Sequence, residues 1–509
     1  MRLLLALSCV LPVLCPIAAS QRFGAGVDLQ GNAPAARAVY AADLDGDGHL
    51  DLVTGFNTRV AVHAGLGLGA FAPRVVLTTA AAEVRAVFAA DLDGDGDLDP
   101  LSASANDNTI AWYPNLGGGA FGPKQVISAF ALDAHDVKAA DLDGDGDQDV
   151  LSASYYDGKV AWYPNDGTGA FGAAQVLTLD ALGGHWVDTA DLDGDGDLDV
   201  LSASEADDKV AWYENLGGGA FGPQRLVTTE TDQAVAVATA DLDGDGDPDV
   251  LTASWGDATL GWVENLGGGA FGQRQVLDAA MPFAFSVDAA DLDGDGDPDP
   301  FGAAPDGDRI AWYRNLGGGS FEPARVVDAG ATGVQRVVAG DLDGDGDQDL
   351  VAAVFGRARI TWYASEPEGV VVTCPGSGSL ELLAATTPQG RWLGARGGDE
   401  GAPGVLVCGP TWSPLAAAAS GLCLQGALAR FDARAGGFAA GHDSTGAFTG
   451  GDWRSLTGNG LANGRGFLLP PDLPAPWGRP IAPGETWCFQ LWSPGGSGVG
   501  FSSALTIGF

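Results

Sequence analysis

Positive charge is scarce in this sequence. Lysine and arginine together number 25 against 67 aspartates and glutamates, for a formal net charge of -42. Nucleic-acid binding and attachment to anionic membrane surfaces both need a basic footprint, so the composition argues against either partner. Cysteine is absent between Cys15 and Cys374, and there is no Cys-x-x-Cys pair. That argues against a zinc ribbon or a thioredoxin-like site. Beyond residue 20 no apolar run is long enough to span a bilayer. Only 18% of residues are charged while 46% are hydrophobic, which excludes a disordered acidic tail. What abounds is glycine, 79 residues with 28 prolines, the composition of a turn-rich β protein. At 509 residues there is room for two or three domains.

Arg2 precedes an apolar stretch, Leu3 to Ala19, broken by Pro12 and Pro16 and ending at Ala18-Ala19-Ser20. This predicts a cleaved export signal over residues 1–20, hence a secreted, periplasmic or cell-surface protein. The mature chain then keeps Cys374, Cys408, Cys423 and Cys488. In an exported protein these predict two disulfides, with three pairings open.

From Phe23 to Ser365 the sequence repeats itself. Asp-Leu-Asp-Gly-Asp-Gly begins at Asp43 and recurs after 48 and then five times after 50 residues. Each copy ends on an acid at its ninth position. The candidate ligands are Asp43, Asp45, Asp47, His49 and Asp51 in the first copy, and Asp91, Asp93, Asp95, Asp97 and Asp99 in the second. They continue with Asp141, Asp143, Asp145, Asp147 and Asp149, then Asp191, Asp193, Asp195, Asp197 and Asp199. The last three copies give Asp241, Asp243, Asp245, Asp247 and Asp249; Asp291, Asp293, Asp295, Asp297 and Asp299; and Asp341, Asp343, Asp345, Asp347 and Asp349. Carboxylates at alternate positions of a glycine-punctuated loop surround a hard cation with oxygens, and the seventh residue can offer its carbonyl, so His49 is tolerated there. Unliganded, these like charges would repel. The pattern predicts about seven calcium sites, with magnesium the lesser candidate. The loops are not EF-hands: position twelve holds Thr54, Ser102, Ser152, Ser202, Thr252, Gly302 and Ala352 instead of glutamate. Their flanks alternate as strands do, Val137 to Ala140 before the third loop and Val150 to Ser154 after it.

Each unit reads strand, aspartate loop, strand, short loop, strand, glycine turn, strand, which is one four-stranded propeller blade. In the third unit the last two strands are read at Lys159 to Pro164 and Phe171 to Thr178. The repeats stop after a third strand, Arg359 to Tyr363, while the chain starts with a fourth-strand sequence near Phe23 to Leu29. Closure is expected by residues 22–30 pairing beside Arg359 to Tyr363. Trp112-Tyr113, Trp162-Tyr163, Trp212-Tyr213, Trp312-Tyr313 and Trp362-Tyr363 recur in the third strands and are read as packing between blades.

The aspartate loops, with Gly-Ala-Phe-Gly-Pro at Gly119 to Pro123 and Gly219 to Pro223, resemble the FG-GAP (VCBS-type) repeats of integrin α-subunit propellers. Over about 340 residues this resemblance implies an all-β, seven-bladed propeller with calcium loops on one face, of the bacterial exported type. It says little about function, because such repeats serve adhesion proteins, lectins and enzyme scaffolds alike.

On the opposite face the repeats disagree. The positions before the inner strands carry Arg37, Arg85, His135, His185, Val235, Phe285 and Gln335, followed by Asp136, Trp186 and Arg336. The second-to-third-strand loops add Tyr155, Tyr156, Glu205 and Trp255. Of these, Arg85, His135, Asp136, Tyr155, Tyr156, His185, Trp186, Glu205, Trp255 and Arg336 are the candidate ligand residues. No hydrolase or zincin motif is present, so no catalytic residue is assigned. The expectation is a monomeric calcium-binding, adhesion-type propeller that takes a protein or glycan. The alternative is a polysaccharide lyase or hydrolase working at the channel mouth with His135 and His185.

Residues 366–369 read as a linker. Residues 370–509, with strand-like runs such as Thr486 to Trp492 and Phe501 to Ile507, read as a disulfide-supported β-sandwich-like domain. The stretch Pro483 to Trp492 resembles C-terminal β modules of exported repeat proteins.

Overall fold

The computed structural model of the chain describes residues 21–29, 33–367 and isolated strands lying between Val370 and Gly508. One compact unit spans Phe23–Ser365 and consists of seven four-stranded antiparallel sheets. In the third blade the strands are Ala134–Ala140, Asp149–Ser154, Lys159–Tyr163 and Gln175–Thr178. The expected fourth strand is shorter than its sequence pattern, because Phe171 forms only an isolated bridge with Asn165 before the ladder resumes at Gln175. First strands pack side by side around the axis, and Val334–Gly340 packs against Ala36–Ala42, closing the ring.

Closure follows the expected phase. The sheet of the seventh blade is completed by Val27–Asp28, with Val27 opposite Trp362 and Asp28 opposite Thr361. The reading of residue 366 onward as a linker changes at its start: Ser365–Pro367 forms a strand paired with Gln21–Phe23. Further on, the strands Thr486–Gly495 and Gly498–Gly508 pair antiparallel. The layering of the expected sandwich and the cysteine pairing fall outside the described residues, as does the export signal.

Second strands are buried along their whole length, as in Asp149–Ser154, because each blade is covered by a neighbour on both faces. Their Ser and Ala side chains allow the close approach. The recurring tryptophans fill the seams. Trp162 is 4% exposed and meets Phe221 of the next blade edge-on at 6.2 Å. Trp112 meets Phe171 in the same way at 6.4 Å. The glycine two residues before that phenylalanine makes room for the indole. A Cβ at Gly169 would stand 2.5 Å from the Trp112 ring, on a backbone at φ +74°. At the first seam Val62 stands in the tryptophan position, and Gly119 at φ +76° has open space. Both glycines are left-handed, so comparing them isolates the contact. Gly169→Ala is expected to cost about 3 kcal/mol and Gly119→Ala about 1 kcal/mol, read by denaturant unfolding in calcium. Equal costs would show that the seam contact contributes nothing.

Five seams carry a second tie. Asn115, Asn165, Asn215, Asn265 and Asn315 each donate a side-chain N–H to a leucine carbonyl in the preceding blade's aspartate loop, as in Asn215 Nδ2 to Leu142 O at 2.8 Å. The same amide reaches its own loop, Asn215 Nδ2 to Leu198 O at 3.0 Å.

His63 replaces the repeat's tyrosine in the first blade and is 4% exposed. Burial, helped by the charge of Arg74, lowers its pKa to about 4. An unfolded histidine titrates near 6.5, so this side chain's contribution is whole above that value and is lost as pH falls from about 6.5 to about 4. The loss amounts to about 3 kcal/mol. His63→Tyr should flatten the acid limb of stability across that window, measured as urea midpoints from pH 7 to pH 4. Parallel curves for the two proteins would reject this assignment.

Candidate functional site

Each aspartate loop is organised by its first and ninth residues. In the first loop Asp43 accepts the backbone N–H of Gly46 at 2.8 Å on one oxygen and that of Gly48 at 2.9 Å on the other. Both glycines hold positive φ, 73° and 87°, which lets the chain fold around the carboxylate. Asp51 opens the second strand, is 1% exposed, and accepts N–H groups from Leu44 at 2.9 Å and Gly65 at 2.6 Å. The same bonds recur down the chain, for instance Leu242 N to Asp249 and Asn265 N to Asp249. The loop is thereby tied to the glycine turn between strands three and four, so both lie on one face as expected.

Oxygens of Asp43, Asp45 and Asp51 lie within 4.8 Å of one another, and the first, third and ninth residues of the next four loops group likewise. Asp47 and His49 stand outside the first group: Asp45 accepts the N–H of Asp47, and Asp47 that of His49. The clusters could hold a metal ion, and an all-oxygen donor set suits a hard one. Burial is the first cause that raises the ninth carboxyl, to about 6 at Asp51, about 7 at Asp99 and about 8 at Asp349, with other loop carboxylates adding to it. A cation among them would offset that cost. The loops are not equal. Arg314 forms an ion pair with Asp293 and another with Asp295 at 3.0 Å, so the sixth loop already holds a positive group.

The second candidate site lies where the inner strands begin. In six blades a β-bulge breaks the first-strand ladder there, between Ala134 and Asp136 in the third blade. Two consecutive residues therefore reach the axis instead of alternating. Arg37, Arg85, His135, Asp136, His185, Trp186, Phe285, Gln335 and Arg336 line one cavity.

The cavity has two unlike sides. Blades three to six supply connected rings: His135 stacks on Tyr155 at 4.9 Å, His185 meets His135 at 4.6 Å and Phe285 at 5.0 Å, and Trp255 meets Phe285 at 5.7 Å. Blades seven, one and two supply guanidinium groups. Arg37 and Arg85 both pair with one oxygen of Glu83, at 3.2 and 2.8 Å, and Arg37 donates to Gln335 at 3.3 Å. Arg336 lies 3.9 Å over the Trp186 ring. Glu205 hydrogen-bonds Tyr155, whose hydroxyl pKa is raised to about 12 by burial and then by that bond. Tyr156 is 77% exposed and meets Tyr155 at 5.7 Å. Burial lowers both histidine pKa values, so the pair is neutral at pH 7, with Asp133 3.5 Å from His135 Nε2.

Deeper along the axis stand groups that motif reading passes over. Lys138 forms an ion pair with Asp188, and Thr239 donates to Asp188 at 3.4 Å. Burial opposes the Lys138 ammonium, yet Asp188, Asp136 and Asp288 together raise its pKa. Burial raises the carboxyls of Asp136 and Asp288 although Lys138 and Arg336 pull them down. The signal was a column three residues after the bulge, reading Tyr40, Phe88, Lys138, Asp188, Ala238, Asp288 and Val338.

A family model described as FG-GAP-like repeat matches residues 43–102, 91–152, 141–202, 191–252, 245–301 and 301–352. No curated protein matches the chain. Among solved structures, an Agrocybe aegerita lectin that recognises non-reducing terminal N-acetylglucosamine is 23% identical, with 62% of this chain and 84% of that one covered at a TM-score of 0.46. The virginiamycin B lyase of Staphylococcus aureus is 10% identical, with 69% and 99% covered at 0.45. Six matched repeats, each carrying an aspartate loop at one or both of its ends, and seven blades on one ring lead to one conclusion: the chain belongs to the FG-GAP-like repeat family.

Proposed function

We propose that the protein is exported, loads calcium into its blade loops, and uses the channel mouth to hold a glycan or peptide outside the cell, as a binding module without chemistry of its own. The observation that carries this reading is the contrast between the two faces. One repeats the same oxygen cluster from blade to blade, while on the other unlike side chains from six of the seven equivalent positions converge on one cavity. Uniform loops serve the ring, and a varied cavity serves a ligand. Calcium is favoured over magnesium because crowded carboxylates suit its larger, less regular oxygen shell. Export rests on the apolar segment at residues 1–20.

Glycan and peptide arrays probed with the calcium-loaded mature chain test the reading. Binding lost in Trp255→Ser, at an unchanged melting temperature, supports it. Turnover of a bound polysaccharide that His135→Ala or His185→Ala abolishes would replace it with a lyase or hydrolase.

A further inference from the structure

The two sides of the mouth pose a question of ligand chemistry, and three independent features answer it together. The first is a demand for a carboxylate. Arg37 and Arg85 converge on a single oxygen of Glu83, so their geometry already fits one carboxylate held between two guanidinium groups. That internal acid takes one terminal nitrogen from each arginine. The Nε atoms of Arg37 and Arg85 are buried and have no hydrogen-bond partner. Burial, and then the like charge of Arg85, weighs against the Arg37 cation, so a further anion would be stabilising there. Arg336 is otherwise engaged, over Trp186 and beside Asp136.

The second feature is a demand for a hydroxyl. His185 lines the cavity, is 6% exposed, and its Nδ1 has no partner. Burial holds its pKa well below the ordinary value, so the ring is neutral. Nδ1 of a neutral imidazole either donates or accepts one hydrogen bond, and a hydroxyl can answer it in both cases. The third feature is aromatic: His135, His185 and Phe285 line the cavity and Trp255 packs on Phe285, an apolar arc that suits the C–H face of a pyranose ring.

Carboxylate, adjacent hydroxyl and an apolar ring face occur together in a sugar acid. Resting on the mouth as the ligand site, we propose that it recognises a uronic acid residue of an acidic glycan. Arg37 and Arg85 hold the carboxylate, His185 Nδ1 hydrogen-bonds a ring hydroxyl, and the aromatic arc covers the ring face. An acidic peptide supplies the carboxylate but lacks the neighbouring hydroxyls, and a neutral sugar leaves the guanidinium groups unanswered.

The experiment titrates short oligosaccharides of galacturonic, glucuronic and mannuronic acid, each beside its carboxyl-reduced neutral form, into the calcium-loaded mature chain by calorimetry. At least one acid should bind, and its reduced form should bind tenfold or more weakly. Arg85→Gln should weaken the acid tenfold and leave any neutral oligosaccharide unchanged. Arg85→Lys, which keeps charge without the fork, should fall between. His185→Phe should weaken acid and neutral forms alike. Melting curves in calcium confirm that each variant is folded. Equal affinity for acid and reduced forms, or an acid affinity untouched by Arg85→Gln, overturns the inference. If a neutral glycan or a peptide then binds and Trp255→Ser abolishes it, the mouth remains the ligand site and only the uronic acid reading is lost. Failure of every oligosaccharide overturns the inference as well, and the arrays decide the broader reading separately.

Discussion

Excess chelator should lower the melting temperature of a chain beginning at Gln21 by roughly 20 °C or more, or unfold it outright. At free calcium tenfold above Kd each loop contributes about 1.4 kcal/mol, so seven loops contribute about 10 kcal/mol, comparable with the whole stability of an ordinary domain. The structure gives the reason for so large a linkage. The ninth aspartate of each loop joins the loop, the second strand and the glycine turn, and in five loops the leucine after the first aspartate accepts the asparagine of the next blade. Losing the cation therefore loosens seams as well as loops. Acidity acts in opposite senses on the two forms. The raised carboxyls of the ion-free chain are neutralised as pH falls below about 8, which relieves repulsion, whereas in the loaded chain protons compete with calcium and weaken its hold. Calorimetry with and without chelator, at pH 5 and pH 8, separates the two. An unchanged melting curve after demonstrated metal removal would contradict the structural role.

The next largest effect is expected from the chain's start. A chain beginning at Asn32 instead of Gln21 lacks the outer strand of the seventh blade. It loses the Gly24 N–H to Ala364 and Leu29 N–H to Ile360 bonds, at 2.8 and 2.9 Å, and the side-chain bond of Thr361 to Asp28 at 2.8 Å. It also loses the edge-on contact of Phe23 with Trp312 and the buried Leu29. Together these are worth at least about 5 kcal/mol. The bared edge of Arg359–Tyr363 would recruit other chains, so light scattering should show association as well. A shortened chain that stays monomeric and equally stable would show that the ring does not depend on this strand.

Much of the fold was legible because its period is long and nearly exact in sequence. Repeats spaced at 50 residues state the blade, and the mismatch between a missing last strand and a surplus first one states how the ring closes. The recurring Trp-Tyr pairs were legible as packing for the same reason. The channel was legible only in part. Strand alternation predicts that every second residue faces the axis, but the bulge at His135 shifts the phase, so Asp136 and Lys138 both enter it. Lys138 and Asp188 lie 50 residues apart and meet only because first strands pack side by side, a contact that no local pattern announces. The Arg314 ion pairs in the sixth loop were hidden likewise, since the residue before the loop-binding asparagine is proline in two other blades and reads as a turn filler.

The central claim is that this ring is built around its blade loops as calcium sites, and calcium content tests it most directly. After dialysis against about 2 mM calcium, elemental analysis of a chain beginning at Gln21 should find close to seven ions per molecule. The sixth loop, where Arg314 already sits, should be the last to fill, so Arg314→Ala should strengthen the weakest step of a calcium titration. A molecule that carries no calcium under these conditions, or the same amount after Asp→Asn changes at Asp141, Asp191 and Asp241, would contradict the account.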